Sequence, residues 1–113
     1  MTLAKLATHI ADTPGWITRI LRADEFDFVN FQPMSIAANK DDLIRGFETT
    51  LNDALESLQR AADEDFYKVW VVKRNGTLMM QLPKKVAIRG WALNHLLHHR
   101  GQLSVYLRLL NIP

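Results

Sequence analysis

Asn94-His95-Leu96-Leu97-His98-His99-Arg100-Gly101-Gln102-Leu103 holds three of the chain's four histidines. His95 and His99 are four residues apart, so on a helix they stand one turn above each other on one face. That spacing lets two imidazoles converge on one metal ion, but a protein-held divalent ion needs at least a third ligand. The one histidine outside the stretch is His9. The flanking sequence reads as one long helix. Pro83 suits its first turn, and Val86, Ile88, Trp91, Leu93, Leu96, Leu97, Leu103, Val105, Tyr106, Leu107, Leu109 and Leu110 cover nearly its whole circumference. A helix apolar all round is buried on several sides. This one is therefore expected at the centre of a helical bundle, or packed on a partner as well. Gly90 and Gly101 are expected to permit close helix approach.

The residue after His95 is Leu96, where a metalloprotease helix of the H-E-x-x-H type carries its glutamate general base, so that chemistry is excluded. His98 points about a quarter-turn away from His99. It is read as a residue behind the site, a surface residue or a substrate group. The spacing alone leaves two readings of His95 and His99: ligands of one ion, or two polar residues facing a solvent-filled cleft.

The remaining sequence limits what such a site can do. A chain of 113 residues with 48% hydrophobic and 23% charged residues is read as a single domain, 1–113, with one apolar core. It has no cysteine, which excludes disulfides, thiolate metal sites and a cysteine nucleophile. No apolar run reaches the length of a membrane span, and the start is not that of a signal peptide, so a cytoplasmic location is expected. No Gly-rich phosphate loop, G-x-S-x-G elbow or Ser/His/Asp arrangement is present. Net charge is +2, but all 12 acidic residues lie between Asp12 and Asp65, and none follows. Basic residues in the second half are dispersed among large apolar ones. Packing of an acidic half on a basic half is the favoured reading, and nucleic-acid binding the disfavoured one.

Along the chain, Leu3, Leu6, Ile10, Ile17 and Ile20/Leu21 repeat at helical spacing after Thr2, an available N-cap. Pro14-Gly15 is expected to kink or break that helix near Thr13. His9 lies beside its apolar stripe, where a lone histidine is more often a hydrogen-bonded boundary residue than a ligand. Asp12, three residues on, is either an outer partner of a site, a general base, or a solvated carboxylate. Asp24 to Asn39 is too apolar for a free linker, and its length points to a crossover whose aromatics pack on the core. Asn39 is expected to cap an amphipathic helix from Lys40 to about Asp63, with Ile44, Phe47, Leu51, Ala54/Leu55 and Leu58 in one stripe. Asp65 to Leu82 reads as an extended loop or short hairpin around Asn75-Gly76.

His95-Leu-Leu-His98-His99-Arg100-Gly101-Gln102-Leu103, followed by Tyr106-Leu107-Arg108 and Ile112-Pro113, closely resembles the last-helix signature of the DinB/YfiT-like superfamily. Leu3 to Asp12 resembles that family's second helix, which carries its first histidine. The resemblance implies an all-α, up-down-down-up four-helix bundle with a long crossover, matching Asp24–Asn39. It implies a divalent site of His9, His95 and His99, completed by water, and a homodimer. The family usually begins with one more helix and continues past Ile112-Pro113. The expected bundle is therefore completed by a missing N-terminal helix or by a partner subunit.

Three neutral imidazoles leave an ion its charge and an open position, which favours presenting a bound water or thiol as a nucleophile. Some relatives are thiol-dependent S-transferases or isomerases, and others are described as metal-dependent hydrolases without that activity being established. The resemblance therefore implies metal-dependent transfer of a low-molecular-weight thiol, or hydrolysis of a small molecule. Trp16, His98 and Arg100 are the substrate contacts considered. The alternative is a non-enzymatic metal-binding or damage-responsive module. Imidazole ligands suit zinc, nickel and iron alike.

Overall fold

The computed structural model describes every residue from Met1 to Pro113 and arranges them as three helical rods, a crossover and a small sheet. The first rod is α1 (Leu3–Asp12) followed by α2 (Gly15–Arg22). Thr2 caps α1, its hydroxyl accepting from the Lys5 N–H at 3.2 Å. Pro14 brings no N–H to the helix ladder, and the chain breaks there. The Thr13 N–H turns to the Ile10 carbonyl at 3.2 Å, and the Thr13 hydroxyl donates to the His9 carbonyl at 2.8 Å. The break is thereby hydrogen-bonded, and the turn carrying His9 is fixed. The second rod, α3 (Lys40–Arg60), begins where Asn39 accepts from the Asp42 N–H at 2.9 Å. The third is α4 (Lys84–Ala87), a π-helical turn (Ile88–Leu93) and α5 (Asn94–Leu109).

The all-α four-helix bundle expected from the sequence is not what forms. A three-stranded mixed sheet accompanies the helices. Strand β2 (Val69–Arg74) pairs antiparallel with β3 (Thr77–Pro83) and parallel with β1 (Glu25–Asp27), Glu25 lying opposite Val71. The local cause is the β-branched run around Trp70 joined to a turn that only certain residues accept. Asn75 and Gly76 take φ of 50° and 80°, the left-handed pair of a tight hairpin turn. A lone ribbon of this size would be marginal. Here the segment leaving α2 supplies a third strand, and the Asp27 carboxylate accepts from the N–H groups of Val29, Asn75 and Gly76 at 2.8–2.9 Å. Those donors, the Val29 N–H foremost, hold the Asp27 carboxyl below the usual carboxylate range.

The sheet also contributes to the core. Trp70 and Val72 point inward with no exposed surface, against Trp16, Ile17 and Ile20 of α2, Ala54 of α3, and Ala87, Ile88 and Ala92 of the last rod. Phe26, Phe28 and Phe31 of the crossover pack on this cluster, with ring centroids 5.2–6.3 Å from Trp16. The acidic half meets the basic half at three ion pairs, one of them Lys68–Asp65 at 3.0 Å on the boundary itself. Lys73 pairs with Glu25, and Lys84, only 2% exposed, reaches Asp24 at 2.8 Å and the Leu21 carbonyl at 3.4 Å. A buried ammonium at the C-terminal end of α2 is thus both paired and favourably placed against the helix dipole.

Three further expectations change. The apolar stripe of α3 is only half covered, with Ile44, Phe47, Leu55 and Leu58 between 36% and 47% exposed. The last rod is not buried on several sides either: His99 is the only buried residue of α5, while Leu97, Val105 and Leu109 are exposed. Gly90 and Gly101 make no close approach, since a Cβ built on either meets nothing within 4 Å. An apolar trough floored by Leu3 and Ala7 of α1 runs between Leu43 of α3 and Leu103 and Leu107 of α5. No helix is long and apolar enough to cross a membrane.

Candidate metal centre

Helix α1 carries His9 and α5 carries His95 and His99 on the faces where the two helices pack. The Nε2 atoms of His9 and His95 are 2.8 Å apart, and those of His95 and His99 are 3.0 Å apart. The rings stand edge to face, with centroids 4.4–5.0 Å apart. One ligand atom from each residue lies within 4.8 Å of the others, and no other His, Cys, Asp and Glu group in the chain is so arranged.

The spacing fits an ion. Imidazole nitrogens about 2.0–2.1 Å from a metal, at coordination angles of roughly 90–110°, lie about 2.9–3.4 Å from each other. Of the two observed separations, 3.0 Å lies inside that range and 2.8 Å just below it. Proton counting points the same way. Neutral imidazoles cannot place a donor hydrogen and a separate acceptor lone pair at the single His95 Nε2 that both neighbours approach. A divalent cation satisfies all three lone pairs at once. The three histidines are positioned to hold a metal ion.

Electrostatics keep the rings ready for that role. Burial, followed by the nearby His99, lowers the pKa of His9, and Asp12 offsets this only in part. His95 is lowered by burial first, then by His99, His9 and His98. Both rings are therefore neutral near pH 7, the form that ligates.

The π-helical turn ends immediately before α5. Such wide turns are rare and recur at functional sites. Here the turn separates two faces of one rod: Ala87, Ile88 and Ala92 enter the aromatic core, while His95 and His99 face α1. Trp91 lies within this turn, with its ring centroid 5.7 Å from that of Trp16.

None of the other sequence candidates belongs to the group of three. Asp12 is 9% exposed, accepts from the Met34 N–H at 3.4 Å, and lies 3.8 Å from Arg19. It shares with His9 a cleft of about 210 Å³ between α1 and Pro33–Ile36, with Lys5 and Thr8 also lining it. Trp16 is 7% exposed within the aromatic core, and the Arg19 guanidinium lies over its ring at 4.9 Å. His98 is exposed, with its ring 5.0 Å from that of His99. Arg100 is exposed beside Ser104 and Arg108 on the far part of α5.

Two groups near the site were not singled out in the sequence. Gln102 hydrogen-bonds His99, and its signal was present: it stands three residues after His99, on the same helical side. Arg19 stands seven residues after Asp12, but the Pro14 break between them hides the shared face.

No curated protein and no solved structure matches the chain significantly. Residues 1–110 match the DinB family. With that match spanning nearly its whole length, and with one histidine of α1 meeting two of α5, the chain belongs to the DinB family.

Proposed function

We propose that the chain binds one divalent cation through His9, His95 and His99 and uses it in a thiol S-transfer or hydrolysis reaction on a small molecule. The observation that carries this reading is the convergence of three Nε2 atoms with no carboxylate among them. An ion held by neutral ligands keeps its full charge and lowers the pKa of a water or thiol bound to it, which is the chemistry of nucleophile activation. The chain's own residues then bind and orient. The cleft beside His9 has room for a small group only, and Asp12 and Lys5 give it one acceptor and one cation. His98 offers an exposed imidazole next to His99. Zinc, nickel and iron all suit the donor set.

The test is turnover by protein loaded with each metal in turn, supplied with low-molecular-weight thiols and with ester or amide substrates. Loss of turnover with chelator and in His95→Ala is the expected result. Full metal loading with no turnover of either class would favour the second reading, a metal-binding module without catalysis. What favours that reading is that Asp12, the carboxylate whose charge acts on His9, already faces Arg19 and the Met34 N–H.

We also propose a homodimer. Helix α3 carries five acidic and three basic residues beside its exposed apolar stripe. Helix α5 carries two basic residues, Arg100 and Arg108, and no acid beside exposed Leu97, Val105 and Leu109. Packing α3 of one copy on α5 of the other covers both stripes and pairs opposite charges, reciprocally about a two-fold axis. Sedimentation should show a dimer that Leu97→Glu converts to monomer. A monomeric parent at tens-of-micromolar concentration would rule the pairing out.

A further inference from the structure

We infer that Gln102 is a positioning residue for the metal site, fixing the ring orientation and tautomer of His99. The inference rests on the metal-binding reading above for its purpose, but not for its geometry. Gln102 Oε1 lies 2.6 Å from His99 Nδ1. An amide oxygen can only accept, so the hydrogen of that bond belongs to the ring nitrogen. A neutral imidazole with its proton on Nδ1 has its lone pair on Nε2, and His99 Nε2 is the atom 3.0 Å from His95 Nε2. The contact therefore presents the lone pair where the three nitrogens converge.

Among the three histidines, only His99 has its Nδ1 so engaged. Histidine ligands generally rely on such an outer partner for orientation, and losing it typically costs about 10–100-fold in metal affinity. Gln102 is well placed for this task, since it stands one turn along the same helix as His99 and moves with it. Were the amide reversed, its NH2 would donate to Nδ1, the proton would sit on Nε2, and His99 would be unable to ligate. The proposal thus fixes a protonation site and not only a contact.

Two measurements on the full chain test it. In metal-free parent protein, long-range proton–nitrogen NMR should show His99 as the Nδ1–H tautomer, and Gln102→Leu should shift the ring toward the Nε2–H form. In chelator competition with zinc or nickel, Gln102→Leu should bind about tenfold or more weakly. Gln102→Glu should recover the parent affinity, because its carboxylate accepts the same Nδ1–H. A parent His99 in the Nε2–H form, or a Gln102→Leu variant with unchanged tautomer and affinity, would overturn the role of Gln102. A parent with the Nδ1–H tautomer that takes up no metal would instead overturn the metal reading and leave the hydrogen bond as found.

Discussion

Trp70→Ala is expected to lower the unfolding free energy by about 3–5 kcal/mol, the range for deleting a large aromatic from a packed core. Trp70 has no exposed surface and stands edge-on to Trp91, with centroids 5.6 Å apart and planes at 86°. It also touches Phe26 of the crossover and Trp16 of α2, so one side chain ties strand, crossover and helices together. Trp70→Phe separates packing from polarity. The Trp70 Nε1 is buried without a hydrogen-bond partner, so exchanging indole for phenyl gives up no bond and removes an unsatisfied donor. Denaturant titration should therefore place Trp70→Phe within about 1.5 kcal/mol of the parent, far above Trp70→Ala. Similar losses in both variants would mean that the indole nitrogen is satisfied in solution. A small loss in the alanine variant would mean that the sheet is not integral to the core.

His9→Ala is the second large effect, and it bears on the site alone. His9 is the only member of the group from α1, and His95 and His99 both come from α5. Two imidazoles from one helix turn do not make the three-ligand set of a divalent centre with an open position. Metal affinity should fall by more than the roughly 10–100-fold that loss of an outer partner costs. The metal-free fold should change little, since the His9 ring is only partly buried. Chelator competition, with circular dichroism as the control, reads both quantities. Unchanged metal affinity in His9→Ala would reduce the centre to the His95 and His99 pair.

Local rules recovered the parts of the molecule that local rules govern. Thr2 and Asn39 cap helices because their side chains reach an N–H three residues on, and Pro14 breaks a helix because it brings no donor. The four-residue spacing of His95 and His99 placed two imidazoles on one face, but only the resemblance brought His9 to them, because spacing carries no information across 86 residues of chain. The sheet was partly legible. Asn75-Gly76 and the valines around Trp70 announced a hairpin, whereas Glu25-Phe26-Asp27 is too short to show an alternation, and its pairing with β2 is decided by tertiary packing. The half-exposed faces of α3 and α5 were illegible for the same reason: an apolar stripe shows that something should cover it, not that a neighbouring helix of the same chain does. The π-helical turn has no periodicity signature, and it alters the phase of the very helix on which the reading depended.

The centre itself is most directly tested by elemental analysis of the purified protein, stripped with chelator and then offered zinc, nickel or iron, beside His95→Ala treated identically. About one equivalent of metal per chain in the parent and none in the variant is the expected result, since three converging imidazole nitrogens form one three-ligand site. Absence of metal in the parent under all three conditions, or equal metal in both proteins, would contradict a centre built from His9, His95 and His99.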